Sequence, residues 1–319
     1  MYNGIINVYK EAGFTSHDVV AKLRGICKQK KIGHTGTLDP DAVGVLPVCF
    51  GSGTKLCDML TDWNKEYIAC LRLGMVTDTQ DLSGQVLSEA PAEQLAALTE
   101  EQVRDVVMGF VGAYEQIPPM YSALKVNGRK LYELAREGKE VERKPRTVQI
   151  GEIEILRMEL PVVEFRVVCS KGTYIRTLCH DIGGKLGCGG AMQSLIRSRV
   201  GDFRVEDSYT LADLEQLQKD GKIADVIISP DAVFAHYKAV TVTEAGQKPV
   251  QNGNCLTARQ IAHIWQAADS AQEAHKGSGQ AVFTDGEQIR VYDGNGRFYG
   301  IYGYYEREKL FKPVRMFLS

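Results

Sequence analysis

Apolar and polar positions change period several times along this 319-residue chain. Near the start, GIINVYK reads as a short strand. AGFTSHDVVAKLRGICKQK then begins a helix, with Val19, Val20, Leu23 and Ile26 as its apolar stripe. Thr15 or Ser16 can cap that helix, and Asp18 complements the dipole in its first turn. VGVLPVCF is a continuous apolar strand and EYIACLRLGM a second, while TDTQDLSGQVLSEA reads as a turn followed by a returning strand. TEEQVRDVVMGFVG is a helix with an acidic first turn and a glycine near its end. VQIGEIEILRME and VVEFRVVCSKGTYIRTLCHDIGGKLG supply two strands and a helix. From about Tyr237 the texture changes to a short helix-like TEAGQKPVQNG and then strands. EQIRVYDGNGRFYGIYGYY carries the Asp-Gly-Asn-Gly centre of a hairpin.

This order predicts an α+β protein with a mixed, largely antiparallel sheet over residues 1–236. A small β-rich domain follows over 237–319, and the length is ample for two cores. Between them in character is the segment at about 116–147, which opens on Pro118-Pro119 and carries Tyr121, Tyr132 and many bases. Its tail from Arg136 to Arg146 alternates charges and is expected to be solvated. The interval 257–279, polar and alanine-rich, reads as a helix or a mobile insertion.

A net charge of −2 says little, but its distribution says more. Val19 to Leu38 holds five basic residues and no acidic one, and Met120 to Arg146 holds eight basic against four acidic. Local positive charge on a near-neutral protein suits a polyanion lying on one face, although a solvated helix face accounts for any single cluster. The eight cysteines are scattered, without a C-x-x-C pair or a zinc spacing, and are expected to be reduced in a cytoplasmic protein. MYNGIINVYK lacks the regions of a signal peptide, and no apolar run is long enough to cross a membrane. FGSGTKL has the wrong spacing for a phosphate-binding loop, and no nucleophile elbow or dinucleotide fingerprint occurs.

Two stretches carry candidate chemistry. In KKIGHTGTLDPDAVGVLPV, Gly33 and Gly36 suit a tight turn or a backbone pressed against a ligand. Pro40 biases Asp39 toward an extended, presented conformation; an ordinary Asp-Pro turn fits the same letters. Asp39 and Asp41, two apart, fit poorly the paired carboxylates that flank a glycosidic bond. In VVCSKGTYIRTLCHDIG, a strand at TYIRT would point Tyr174 and Arg176 to one face, an aromatic plane beside a fixed cation. Such a pair suits a flat base and an anionic partner. A half-exposed edge strand covering a core fits equally.

Taken together, GHTGTLDPDAVGVLPV, KEYIACLRLG, QIPPMYSALKVNGRKLYELAREG, KGTYIRTLCHDIG and LIRSRVGDF resemble, in order and spacing, the bacterial tRNA pseudouridine-55 synthases of the TruB family. The resemblance is strong over residues 3–235 and weak beyond. It implies uridine isomerisation at position 55 in the T arm of tRNA, and a C-terminal domain of PUA type. By the same resemblance Asp39 is the essential aspartate, Tyr67 the tyrosine that stacks on the target base, and Arg176 the cation paired with the aspartate. Tyr174 is its aromatic neighbour, His34 attends the extruded nucleotides, and Leu195 is the apolar wall. Where the family commonly reads Asp-Lys-Pro, this chain has Tyr9-Lys10-Glu11, so Lys10 is retained as a candidate contact in an altered loop. Arg129 and Lys130 are candidates for gripping the RNA backbone.

The chemistry suits these residue types. Isomerisation needs a carboxylate, a partner that keeps it ionised, and walls that hold a detached base; no metal, cofactor or redox step is formally required. Arg176 is expected to favour the charged form of Asp39. The expected partner is tRNA alone, met by a cytoplasmic monomer with no membrane, no obligatory protein partner and no guide RNA. The long insertion favours a stand-alone bacterial enzyme over a guide-dependent relative. Intact Asp39, Tyr67 and Arg176 argue against a binding module that has lost catalysis.

Overall fold

A computed structural model of the chain describes residues 1–265 and 283–317. In chain order the first strands are β1 (Gly4–Lys10), β2 (Ile32–His34), β3 (Val43–Phe50), β4 (Lys65–Leu73), β5 (Met75–Thr77), β6 (Val86–Glu89) and β7 (Gly112–Gln116). They continue with β8 (Lys125–Val126), β9 (Arg129–Lys130), β10 (Arg146–Glu159), β11 (Val162–Cys169), β12 (Gly190–Val200) and β13 (Phe203–Arg204). The C-terminal strands are β14 (Lys238–Val242), β15 (Leu256–Thr257), β16 (Ile261–Trp265), β17 (Gln288–Tyr292), β18 (Phe298–Tyr305) and β19 (Leu310–Met316). The helices are α1 (Ser16–Ile26), α2 (Cys57–Thr61), α3 (Ala92–Ala96), α4 (Glu100–Met108), α5 (Leu131–Arg136), α6 (Ile175–Lys185), α7 (Leu211–Lys219) and α8 (Glu244–Gln251).

The large sheet runs β1-β3-β12-β4-β11-β10-β7, with β2 on β3 and β13 on β12. Its ladders are antiparallel except for β3 against β12. Strand alternation explains which face is covered. Tyr67, Ala69, Leu71 and Leu73 of β4 face inward and form one core with Val163, Phe165 and Val167 of β11 and the apolar faces of α4 and α6. Leu38 and Ala42, on either side of Asp39, belong to that same core. Ile6 and Val8 of β1 join Leu46, Val48 and Phe50 in a second core under α1 and α7. Helix α1 starts as the letters demand: the Thr15 side chain accepts from the Asp18 amide while Asp18 reaches back to the Thr15 backbone.

The strand reading of TYIRT is corrected. Tyr174 is the N-cap of α6, and only the residues before it belong to the turn after β11. Ile175, Leu178, Cys179 and Ile182 are all buried, so the 3.6-residue period of the longer window outweighs the strand-like look of five letters.

The C-terminal sheet runs β15-β19-β18-β17-β14-β16 and contains the hairpin of β17 and β18 on either side of Asp-Gly-Asn-Gly. Thr257 closes β15, a 3-10 turn covers Ala258–Gln260 and β16 follows, so the start of the 257–279 interval is a strand and not a helix. The rest of that interval from 266 lies outside the described residues. A third core joins the two sheets: Ile5, Val45, Cys49 and Val200 meet Ile301 and Phe317 across Val233 and Phe234. Among the described residues no helix is long and apolar enough to cross a membrane.

Candidate active site around Asp39

Asp39 sits in the loop between β2 and β3, and three features of the sequence shape that loop. Gly36 has φ 151°, a backbone conformation that side-chain-bearing residues rarely adopt. Gly44, at φ 106°, opens β3 where it meets β12; a Cβ there would lie 2.3 Å from the Arg197 carbonyl oxygen. Lys10 supplies the third feature. Its side chain is fully buried, and Nζ donates to the carbonyls of Ala42 at 2.6 Å, Pro40 at 2.8 Å and Glu11 at 3.1 Å. Lys10, expected to touch substrate, therefore braces the loop from beneath. Burial lowers its ammonium to about 8, with Asp41 and Asp39 opposing.

Arg176 grips the carboxylate on two sides. Its Nε lies 2.8 Å from Asp39 Oδ2, and Nη2 donates to Oδ1 at 3.2 Å. Arg176 is only 5% exposed, so its remaining donors must find partners inside. Nη1 donates to the Thr79 carbonyl at 3.0 Å and Nη2 to the Tyr121 carbonyl at 2.9 Å. Asp81 Oδ2 lies 3.6 Å from Nη1, so two carboxylates share one cation. The Asp81 carboxylate is itself fixed by the Thr79 and Ser83 hydroxyls and the Ser83 amide.

The ionisation of Asp39 differs from the expectation. Arg176 pulls its carboxyl down as foreseen, but burial outweighs it and Asp81 adds to the upward shift, so the net direction is up. The side chain still keeps 37% of its surface exposed. It is walled on the Arg176 side and open on the other, where a ligand can enter.

Tyr67 and Leu195 stand on adjacent strands, Leu195 opposite Ala69 and Arg197 opposite Tyr67, in the core that also takes Leu38 and Ala42. Burial raises the Tyr67 phenol, and a hydrogen bond from Arg197 opposes that shift. Arg197 is 1% exposed; its Nε donates to the Val45 carbonyl at 2.6 Å and Nη2 to the Gly36 carbonyl at 3.4 Å. It thus ties the tyrosine strand to both ends of the Asp39 loop. Its place in LIRSR, two residues after Leu195 on a strand, is the signal that could have revealed it. Asp81 was hidden in a stretch that reads only as a turn.

Tyr174 is locked by Gln116, whose side-chain amide donates to the Tyr174 carbonyl at 2.9 Å and accepts from its amide at 2.8 Å. Burial raises the Tyr174 phenol as well. His34 packs edge-on against His17 at 5.1 Å between ring centroids, and its Nδ1 accepts from the Gly36 amide at 3.3 Å. Burial lowers its imidazole to about 4, so it is neutral at pH 7.

Arg129 and Lys130 stand apart from this cluster, on the hairpin of β8 and β9, turned by Asn127 and Gly128 at φ 51° and 82°. The Arg129 guanidinium pairs with Glu137 while 46% of its side chain stays exposed. Lys130 and Arg136 lie 5.3 and 5.4 Å from the centroid of Tyr132, flanking it with charge. The tail at 136–146 is mostly exposed, as its alternating charges predict.

Residues 24–175 match the TruB family pseudouridylate synthase (N terminal domain), and residues 176–234 match the tRNA pseudouridylate synthase B C-terminal domain. A protein of Lachnoclostridium phytofermentans named tRNA pseudouridine synthase B is 51% identical over 324 residues, spanning 99% of this chain and 100% of its own. One of the same name from Alkaliphilus oremlandii is 47% identical over 252 residues, 79% of this chain and 82% of its own. Among solved structures, a Cbf5-Nop10-Gar1 complex contains a chain similar at a TM-score of 0.70 and 27% identity, covering 98% of this chain and 84% of that one. An H/ACA RNP bound to a substrate RNA containing 2'-deoxyuridine contains another at 0.69 and 26%, covering 99% and 85%.

Proposed function

The chain belongs to the TruB family of pseudouridylate synthases, and from that premise we propose that it isomerises uridine to pseudouridine at position 55 in the T arm of tRNA. The observation that carries this reading is the Asp39 carboxylate, clamped by buried Arg176 yet partly exposed, with its charge felt at the Tyr67 phenol. The reaction breaks the bond from ribose C1′ to N1, turns the uracil, and joins C1′ to C5; C5 gives up its proton and N1 gains one. One carboxylate suffices for that exchange, provided the freed base cannot leave.

Tyr67 and Leu195 supply the walls. Stacking of a base on an aromatic ring is worth about 1–3 kcal/mol, and unstacking the target from a folded RNA costs roughly a few kcal/mol. Backbone contacts from Arg129, Lys130 and their neighbours offset that cost in the bound state. His34, neutral beside the loop, offers hydrogen bonds to extruded nucleotides without adding charge. Residues 1–236 form the catalytic part and 237–319 an accessory RNA-binding part of PUA type. The enzyme works as a monomer in the cytoplasm on free tRNA, without protein partners or a guide RNA; the name of its bacterial relatives supports tRNA as the substrate.

The test is an unmodified tRNA transcript incubated with the parent and with Asp39→Asn, followed by mapping of pseudouridine. The amide keeps the shape of the side chain and loses its chemistry. Product at position 55 is expected from the parent alone, with activity of the variant lower by roughly 10³-fold or more and tRNA affinity within a few fold. Product at another uridine would move the assigned position; product from Asp39→Asn would remove the assigned carboxylate.

A further inference from the structure

We propose that Cys49 and Cys57 are a modification site: a thiol pair that hydrogen peroxide closes into a disulfide beside the catalytic loop. Three observations place the sulfurs together. Cys49 lies opposite Gly33 in the β2–β3 ladder, so its side chain stands next to the space where Gly33 has no Cβ. Cys57, at the start of α2, fills that space: a Cβ on Gly33 would sit 3.3 Å from the Cys57 Sγ. Both side chains belong to one apolar core, with Cys57 packed against the cluster that holds Cys49, and each thiol shifts the ionisation of the other.

Their surroundings divide the labour. Cys49 is fully buried, whereas Cys57 is part-exposed, so peroxide meets Cys57 first. Cys49 beside it lowers the Cys57 thiol, while Cys57 and burial raise that of Cys49, which favours thiolate on the reachable sulfur. The Cys57 thiolate attacks one peroxide oxygen and, with one proton taken up, gives sulfenic acid and water. The Cys49 thiol then attacks the Cys57 sulfur, forming the S–S bond and releasing the oxygen as a second water. The two sulfurs lose two electrons in all, and peroxide accepts them.

Closure is felt at the active site. The Thr61 hydroxyl lies 2.7 Å from the Cys57 carbonyl and 3.1 Å from the Thr35 carbonyl, so it links the start of α2 to the residue after His34. Drawing Cys57 toward Cys49 pulls on that link and on Gly33. Isomerisation is expected to fall severalfold on oxidation and to return with dithiothreitol.

The experiment treats the full chain with hydrogen peroxide, blocks free thiols under denaturing conditions, and maps peptides by mass; trypsin can cut after Lys55, between the two cysteines. A linked peptide pair lighter by two hydrogens is expected in the parent and in Cys255→Ser, and absent in Cys57→Ser. Cys57→Ser should keep its basal isomerisation and resist peroxide. In Cys49→Ala the reaction should stop at a sulfenic acid on Cys57 that dimedone traps. Free alkylation of both thiols after peroxide, or a sulfinic acid on Cys57 with Cys49 still reduced, overturns the pair. Peroxide inactivation of Cys57→Ser at the parent's rate, with the link formed in the parent, overturns its hold on activity while leaving the assigned reaction intact.

Discussion

Asp39 and Asp81 share Arg176, and burial together with that sharing is expected to raise the acid limit of activity. Burial first and Asp81 after the opposing Arg176 hold the Asp39 carboxyl above its ordinary value of 3.8. Activity that needs the carboxylate is therefore lost, as pH falls, at a higher pH than an exposed aspartate would give. Removing the like charge with Asp81→Asn should move that midpoint down, read in single-turnover rates between pH 4 and 7; an unmoved midpoint would detach Asp81 from Asp39. Lys10 gives a second test. Lys10→Met leaves the buried Ala42 carbonyl without its donor and the Pro40 carbonyl with the Gly13 amide alone, a loss of about 1–3 kcal/mol for the orphaned acceptor, so both stability and turnover should drop while RNA affinity holds. Its ammonium is lowered to about 8 from 10.5, so between those values the unfolded chain binds more protons and the parent gains stability as pH rises. The deficit of Lys10→Met in urea melts should accordingly widen from pH 7 to pH 10. At this scale the resemblance made Asp39, Tyr67 and Arg176 legible. The Thr79 and Tyr121 carbonyls were not, because any residue carries a carbonyl and only the fold aims it.

Elements were legible where their period ran long. β1 reads from its short apolar run and the start of α1 from a capping residue with Asp18 in the first turn, because nothing distant competes with those local preferences. TYIRT misled because Ile and two Thr in five residues look like a strand, while the buried stripe that makes α6 extends to Ile182. The hairpin and helix at 125–136 read as a basic segment, and the pairing of Arg129 with Glu137 refines what that means. Part of the Arg129 charge is already answered within the protein. Neutralising Arg129 and Lys130 together should weaken tRNA binding and reduce the slope of log affinity against log salt by less than about 0.7 per residue. Titrations at several salt concentrations measure it; parallel lines of equal affinity would take these side chains off the RNA path. Turnover of saturating tRNA should persist, since neither touches Asp39.

Across the whole molecule, the two sheets share an apolar core, which composition and periodicity could not reveal because its members come from distant parts of the chain. Ile301 is fully buried in it, against residues of the large sheet and the connecting Val233 and Phe234. Ile301→Ala should destabilise by about 2–5 kcal/mol and should lower the melting of the large sheet along with that of the small one. Far-ultraviolet circular dichroism and quenching of Trp63, which stacks on Phe203 at 6.1 Å in that core, report the two together. A two-step melt in which only the C-terminal step moves would make the sheets independent.

The ladder between β7 and β10 pairs Gln116 with Arg146, and residues 117–145 leave and return at that single rung. The segment is therefore built like a cassette: a change in its length is expected to leave the register of the large sheet's strands unshifted. Tyr121 restrains it. Its carbonyl accepts from Arg176 and its hydroxyl donates to Asp78 at 3.4 Å, so the first few residues after β7 answer to the active site. Grafts that exchange the portion beyond Ser122 are therefore expected to keep the chemistry, whereas grafts that begin at Ile117 remove the Tyr121 contacts to Arg176 and Asp78.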